Sequence, residues 1–110
     1  MQRNIWAYDL SADGAISNKR LLTQFPDFGM DGMRCDKVGN LYVTRWGKGT
    51  VVKVSPQGVV VVEVAMHGKH TTNIAFGGPD GCTAYVTVAD RGNVGMFRVD
   101  TPGRSWGGIG

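Results

Sequence analysis

The chain alternates short apolar segments with glycine-containing turns, and no segment keeps a helical period. Ile5 to Leu10 alternates weakly between apolar and polar side chains and ends in Ser11-Ala12-Asp13-Gly14, a turn of the Asp-Gly kind that favours a hairpin. Ile16 to Phe25 predicts the returning strand. The run Val59-Val60-Val61-Val62 favours strand strongly because its residues are β-branched. The pattern therefore predicts an all-β chain.

Beyond the loop at 26–30, the same pattern predicts seven further strands in two sets. Each strand is separated from the next by glycine or proline, which interrupt regular structure. The first set is expected at about 32–36, 40–46, 50–55 and 59–65, and the second at about 73–76, 83–89 and 93–99. We therefore expect about nine antiparallel strands in consecutive meanders.

The two sets resemble each other. Gly39-Asn40-Leu41-Tyr42-Val43-Thr44 and Gly81-Cys82-Thr83-Ala84-Tyr85-Val86-Thr87 each place Tyr-Val-Thr after a turn, and Tyr42 and Tyr85 lie 43 residues apart. Repeats of roughly 40–50 residues with four strands each are typical of β-propeller blades. We expect the two tyrosines at equivalent positions of adjacent blades.

The predicted strands divide the chain into about two and a half blades of one partial propeller. Residues 1–25 form the outer hairpin of one blade, 31–66 a complete blade, 72–103 a three-stranded blade and 104–110 a flexible tail. Closed propellers usually contain about four to eight blades. Such an array exposes blade faces and sheet edges, so we expect it to be a portion of a larger propeller.

Composition narrows the possible functions. Hydrophobic residues make up 42% and charged residues 19% of the chain, which is typical of a globular protein. The net charge is +3, but the basic residues are scattered, so nucleic-acid binding is not expected. No apolar run is long enough to span a membrane, and the opening residues Met1-Gln2-Arg3-Asn4 do not lead us to expect a signal peptide. Cys35 lies in a predicted strand and Cys82 in a turn, which favours free thiols and a cytoplasmic location.

Three motifs in order resemble the gluconolactonase/regucalcin (senescence marker protein) family. They are Met30-Asp31-Gly32-Met33-Arg34-Cys35-Asp36, then Gly39-Asn40-Leu41-Tyr42-Val43, then the segment 68–81, which ends in Phe76-Gly77-Gly78-Pro79-Asp80-Gly81. The chain is similar to the C-terminal part of these proteins over nearly its entire length.

The resemblance implies a six-bladed propeller that opens sugar-type lactones with one divalent metal at the mouth of its central channel. Calcium is the metal expected, with zinc as the alternative. The family's usual ligands are a Glu near the start of the full-length chain, an Asn of a Ser-Asn-Gly motif and the Asp of Asp-Gly-Met. Only the last carries over, to Asp31. Asp31 is also a candidate general base for the attacking water.

The sequence departs from the family pattern around this site. Met30 stands where many members have Pro, while Pro26-Asp27 lies four residues upstream, so Asp27 is a rival ligand. Ser-Asn-Gly is absent, and the only glutamate, Glu63, falls in the last strand of its blade. Calcium needs about six to eight oxygen ligands, so one Asp cannot hold it. An isolated monomer is therefore not expected to be an active lactonase.

Other candidate residues have structural interpretations. Asn73, at the start of the equivalent inner strand, is a weak candidate for substrate binding, although a loop-stabilising role is favoured. His67 and His70 are favoured as a loop pair without metal. We expect the three tryptophans to pack between blades and Cys35 to lie inert in the core. The serines lack the sequence context of a catalytic nucleophile. These residues are Trp6, Trp46, Trp106, Cys35, Ser17, Ser55 and Ser105.

Two functional hypotheses follow. The first is that the chain is the C-terminal portion of a metal-dependent sugar-lactone hydrolase, completed by the missing N-terminal blades. The second is that it is a non-catalytic interaction module that self-assembles through open blade edges into dimers or trimers.

Overall fold

The computed structural model describes residues 3–104, and nearly all of its regular structure is β-strand. Nine strands follow one another along the chain. They are β1 (Asn4–Leu10), β2 (Ile16–Gln24), β3 (Met33–Cys35), β4 (Leu41–Arg45), β5 (Thr50–Val54), β6 (Val60–Ala65), β7 (Thr71–Gly77), β8 (Thr83–Val88) and β9 (Asn93–Arg98). The strand count and the all-β class agree with the sequence prediction.

The strands form three separate antiparallel sheets, each a simple meander. The hairpin sheet contains β1 and β2, the central sheet runs β3-β4-β5-β6, and the third sheet runs β7-β8-β9. One short helical turn was not predicted: a 3-10 helix, Ala89–Arg91, follows β8. Gly92 ends it at φ 63°, a left-handed conformation that glycine adopts without strain.

The two middle strands of the central sheet, β4 and β5, are buried on both faces because the other two sheets pack against opposite sides of the central sheet. Val43, Val52 and Val54 face the hairpin sheet, where Ile5 and Phe25 complete one core. On the opposite face, Tyr42 and Val51 form a second core with the third-sheet residues Ile74, Ala84 and Val86. Successive side chains of a strand point to opposite faces of the sheet, so β4 and β5 each contribute to both cores.

Tyr42 and Tyr85 occupy equivalent positions, as predicted, but their surroundings differ. Each lies in the second strand of its sheet: Tyr42 pairs with Arg34 and Lys53, and Tyr85 with Ala75 and Met96. The Tyr42 ring packs edge-on against Phe76 of the third sheet, with the centroids 5.2 Å apart, and is 3% exposed. Tyr85 is 38% exposed. In the described part of the chain, no sheet covers the face that carries Tyr85.

A buried carboxylate closes the turn between β3 and β4. Asp36 is fully buried and accepts hydrogen bonds from the backbone N–H groups of Val38 (3.0 Å) and Asn40 (2.9 Å) and from the Asn40 side-chain amide (2.8 Å). The end of the chain crosses to this turn, since Lys37 N–H donates to the Pro102 carbonyl and Arg104 N–H to the Cys35 carbonyl. Arg104, the first residue of the predicted tail, is thus held in place, whereas residues 105–110 lie outside the described range.

The Pro79-Asp80-Gly81 turn between β7 and β8 is held by an ion pair. Asp80 accepts from Arg98 Nη2 at 2.7 Å and from the Cys82 N–H at 2.9 Å. The Arg98 guanidinium, and after it the Cys82 amide, lower the pKa of Asp80 from its usual 3.8 to about 2. A depressed pKa in the folded state stabilises the fold above the unfolded-state pKa, and this stabilisation is lost as the pH falls toward 2.

We expect the Asp80 carboxyl carbon to titrate by NMR with a midpoint of about 2, and the Arg98→Gln variant to titrate nearer 3.8. Arg91→Gln, a change of an exposed arginine outside this pair, should leave the midpoint where it is. A wild-type midpoint near 3.8 would show that the ion pair does not persist in solution. Because both side chains are exposed, only a small change in unfolding free energy should accompany the shift.

No helix among residues 3–104 has the length and apolar character required to cross a bilayer.

Candidate active site at the inner strand ends

Arg45 fixes the loop that leads to Asp31. Its side chain is 2% exposed, lies over the Phe25 ring with the guanidinium carbon 3.8 Å from the ring centroid, and donates from Nε to the Gly29 carbonyl at 3.1 Å. Its Nη2 also donates to the Asp27 carbonyl. Gly29 N–H donates in turn to the Trp46 carbonyl at 2.9 Å. The chain therefore enters β3 from a rigidly held loop.

Asp31 lies two residues before β3, the first strand of the central sheet. Its N–H donates to the Thr44 carbonyl at 3.1 Å, which extends the pairing of β3 with β4. The residue is exposed, and none of the ion pairs among residues 3–104 includes it. It borders a cleft of about 450 Å³ together with Trp6, Tyr8 and Met30. The carboxylate is thus available to a ligand.

Gly32 brings Asp31 close to Asn73 of the third sheet. Gly32 N–H donates to the Thr72 carbonyl at 2.6 Å, which joins the first strands of the two sheets. A Cβ at position 32 would overlap the Asn73 side-chain oxygen and lie 2.8 Å from the Thr72 carbonyl oxygen. The glycine of Asp-Gly-Met is therefore required by this close approach.

Asn73 and three threonines order the same region. Asn73 Oδ1 accepts from the Ile74 N–H at 2.9 Å, which stabilises the local backbone and leaves the side-chain NH₂ group for other partners. Thr44 Oγ1 donates to the Gly32 carbonyl at 3.0 Å, and the hydroxyls of Thr72 and Thr87 lie 2.7 Å apart. The loop-stabilising interpretation of Asn73 thus has direct support, and its amide also lies beside the Asp31 segment.

Asp27, the rival ligand, is engaged elsewhere. Its carboxylate lies 3.2 Å from Nη2 of the buried Arg45. A cation bound to Asp27 would have to compete with this guanidinium and would lie beside its positive charge. Of the two acids, Asp31 is therefore better suited to a metal.

His70 is held by groups other than His67 among the described residues. The His70 ring stacks on Trp46 with the ring centroids 4.2 Å apart and the planes 10° apart, and the His70 backbone N–H donates to Asp90 Oδ1 at 2.9 Å. The hydrogen bond from the Lys69 backbone N–H, and after it the one from His70, lower the pKa of Asp90. The stack joins the central sheet to the loop before β7, so Trp46 packs between blades as expected. Trp6 does not: it is exposed, and Lys19 Nζ lies 4.4 Å from its ring centroid.

The other sequence candidates lie apart from Asp31. Glu63 is on β6, the outer edge of the central sheet, where it accepts from Thr50 Oγ1 at 2.7 Å and pairs with Lys48. Both cysteines are free and half-buried, Ser17 is exposed on β2, and Ser55 accepts from Val59 N–H in a turn. Ser105 and Trp106 fall outside the described residues.

Asp31 fits a metal site as one ligand of several. Carboxylate oxygen suits a hard cation such as calcium, which takes six to eight oxygen ligands. Within residues 3–104, no group of three or more His, Cys, Asp or Glu side chains is placed to hold a metal ion.

Two arginines near the site were not predicted from the sequence. Arg45 ends β4 and is almost fully buried, although a charged residue at a strand end is usually exposed. Arg34, in β3, is exposed but donates from Nε to the Ile74 carbonyl of β7 at 2.7 Å. Its position directly after the Asp-Gly-Met motif was the one available signal in the sequence.

The profile of the SMP-30/Gluconolactonase/LRE-like region family matches residues 1–90 of the chain. The chain belongs to this family. Its curated relatives include pentonolactonase XacC of Haloferax volcanii, 35% identical over 86 residues, and regucalcin of Xenopus laevis, 38% identical over 85 residues. The alignments cover 76% and 74% of this chain but only 29% and 28% of those proteins. The chain therefore spans about 30% of the length of the curated relatives it matches.

Solved structures agree. A luciferin-regenerating enzyme superposes with a TM-score of 0.82 at 28% identity, covering 92% of this chain and 40% of that one. A calcium-binding protein, regucalcin, from Agrobacterium tumefaciens strain C58 gives 0.79 at 25% identity, covering 93% of this chain and 40% of that one. Together with the three sheets, this coverage confirms the predicted fold class, a partial β-propeller.

Proposed function

We propose that the chain contributes part of the active site of a metal-dependent sugar-lactone hydrolase, in which Asp31 is one metal ligand. The observation that carries the proposal is an exposed carboxylate outside every ion pair of the described residues, held by rigid backbone where the first strands of two sheets meet. The family supports the reaction class, since two relatives are named pentonolactonase and 6-deoxy-6-sulfogluconolactonase.

Each residue of the site has a proposed role. Asp31 holds the cation, with calcium preferred over zinc because the ligand is a carboxylate, and accepts a proton from the attacking water. The Asn73 amide donates a hydrogen bond to a sugar hydroxyl. A bound metal supplies a more acidic water and a polarised lactone carbonyl. Gly32 and Thr44 hold the backbone on which these groups depend.

Asp31 can be tested by following where a paramagnetic cation binds. We expect Mn²⁺ added to the ¹⁵N-labelled chain to broaden the amide signals of Asp31, Gly32 and Asn73 first, because one carboxylate gives weak but localised binding. Calcium in excess should restore the signals. The Asp31→Asn variant should need about tenfold more Mn²⁺ for the same broadening, which corresponds to the loss of one charged ligand.

Asp27→Asn is the matched control, since it removes the rival carboxylate from the same loop. It should leave the Mn²⁺ response of Gly32 and Asn73 unchanged. If broadening instead follows Asp27 or the two histidines and survives Asp31→Asn, the proposed role of Asp31 is wrong.

A second candidate function, self-assembly, is favoured by one observation: two apolar sheet faces have no other sheet packed on them among residues 3–104. On the third sheet, Tyr85 and Met96 are register partners, and Met96 is 68% exposed. On the hairpin sheet, Trp6 and Leu21 are register partners and also exposed. The Tyr85 face of the third sheet is equivalent to the Tyr42 face of the central sheet, which the third sheet buries. We therefore propose that the hairpin sheet of a second copy packs on the Tyr85 face. The contact is head-to-tail, and such contacts give rings or open chains.

A further inference from the structure

A second cleft lies between the central sheet and the third sheet and is formed by other residues than the cleft at Asp31. It has a volume of about 260 Å³, and the two clefts share no lining residue. One wall comes from β5 and β6, and the other from the end of β9 and the residues after it. Its apolar lining consists of Val51, Val62, Val64, Phe97 and Val99. A cavity of about 150 Å³ holds a benzene ring, so this cleft has room for one ring with a short side chain.

Lys53, Tyr42 and Asp100 lie together in the wall of this cleft. Lys53 Nζ is 3.0 Å from Asp100 Oδ1, but the lysine side chain is 14% exposed and the aspartate side chain 78%. Tyr42 is almost fully buried, and its ring centroid is 5.8 Å from the same Nζ. Burial raises the pKa of Tyr42, against the opposing effect of the Lys53 charge, so its hydroxyl is a neutral donor at pH 7.

The charges of the wall favour an anionic ligand. An ammonium group that is largely removed from water needs an anionic partner, and the exposed Asp100 is a weak one because solvent screens it. Arg98, the other cation of the wall, is bound to Asp80 and to Thr83 Oγ1. Lys53 is therefore the cation in this cleft that an incoming anion can bind. An anion with an apolar body also removes apolar surface from water, which Asp100 does not.

We propose that this cleft binds small carboxylates whose apolar body is about one aromatic ring, with the carboxylate on Lys53 in place of Asp100. The ring packs among the valines and Phe97, since aromatic rings contact each other favourably. The Tyr42 hydroxyl donates a second hydrogen bond to the carboxylate. The proposed lactone hydrolysis and this binding are independent, because the two clefts have no residue in common.

The test compares 3-phenylpropanoate with 3-phenylpropanamide, which has the same ring and chain but no charge. Each is titrated into the chain labelled with ¹³C in its valine methyl groups, at a fixed chain concentration, and the signals of Val51, Val64 and Val99 are followed. We expect saturable shifts and a dissociation constant of about 1 mM for the acid. The amide should bind about tenfold more weakly, since it lacks one charge-assisted hydrogen bond.

Variants assign the preference to Lys53. Lys53→Met keeps the apolar stem and removes the ammonium group, so the preference for the acid should disappear. Asp100→Ala removes the competing carboxylate, so the acid should bind about threefold more tightly. Lys48→Met changes a lysine of a different ion pair on the central sheet and should leave both dissociation constants unchanged.

Val62→Trp locates the apolar part of the site. Val62 is 48% exposed, so a larger side chain is tolerated there, and the indole should fill the cleft and abolish binding of both compounds. Equal binding of acid and amide by the wild-type chain overturns the proposal, as does a preference that survives Lys53→Met or binding that survives Val62→Trp. Methyl shifts that depend on chain concentration and not on the added acid also overturn it, because a strand of a second copy would then occupy the cleft.

Discussion

Replacing Asp36 with alanine is expected to lower the free energy of unfolding by about 3–4 kcal/mol. The carboxylate is fully buried and accepts three hydrogen bonds, two of them from backbone N–H groups that have no other acceptor in the turn. Each hydrogen bond to a charged group contributes about 1.5–3 kcal/mol, less than additively, and buried donors left unpaired add a penalty. Urea denaturation followed by tryptophan fluorescence measures the change.

Two further variants are compared with Asp36→Ala. Asp36→Asn keeps the shape of the side chain but sets its NH₂ group against the Asn40 amide, so an intermediate loss is expected. Asp100→Ala removes an exposed partner of Lys53 Nζ, 3.0 Å away, and should change the stability far less, because exposed ion pairs are screened by solvent. All comparisons require equal protein concentration, since assembly adds to stability. If Asp36→Ala and Asp100→Ala cost the same, the buried turn does not stabilise the fold as described.

Single lysine substitutions on the uncovered faces are expected to dissociate the proposed assembly. Tyr85→Lys and Leu21→Lys each place a charge in the centre of the head-to-tail contact, on its two opposite sides. Central interface residues commonly contribute about 2 kcal/mol or more, so each variant should raise the dissociation constant at least about thirtyfold. Sedimentation equilibrium at several concentrations gives these constants directly.

Val61→Lys is the matched control for both variants. Val61 is a comparably exposed apolar strand residue, but it lies on β6 at the outer edge of the central sheet, away from both faces. Its dissociation constant should equal that of the wild-type chain. If all three variants weaken assembly equally, general surface hydrophobicity rather than the two named faces drives association.

Much of the fold could be predicted because local sequence signals mark where its strands begin and end. Glycines and prolines separate the apolar runs, so the number and order of strands follow from the sequence. The 43-residue interval between Tyr42 and Tyr85 also predicts their equivalence. The 3-10 turn at Ala89–Arg91 could not be predicted, since three residues are too few for a periodic pattern. The different burial of the two tyrosines depends on whether a further sheet packs on each.

The candidate site was predictable only where a motif marks it. Asp31 followed from the family resemblance, and the requirement for Gly32 emerges only when β7 is seen against it. Arg45 and Arg34 were missed because their roles depend on groups far away in sequence: the Gly29 carbonyl, 16 residues distant, and the Ile74 carbonyl, 40 residues distant. Local patterns carry no information about contacts between sheets.

The central claim is that one complete sheet lies between two sheets whose outer faces need a further partner. The most direct test is the mass of the purified 110-residue chain in solution, measured by light scattering across micromolar concentrations. The account predicts a dimer or trimer with fully β-sheet circular dichroism. A stable, well-folded monomer of 11.8 kDa throughout that range would contradict it.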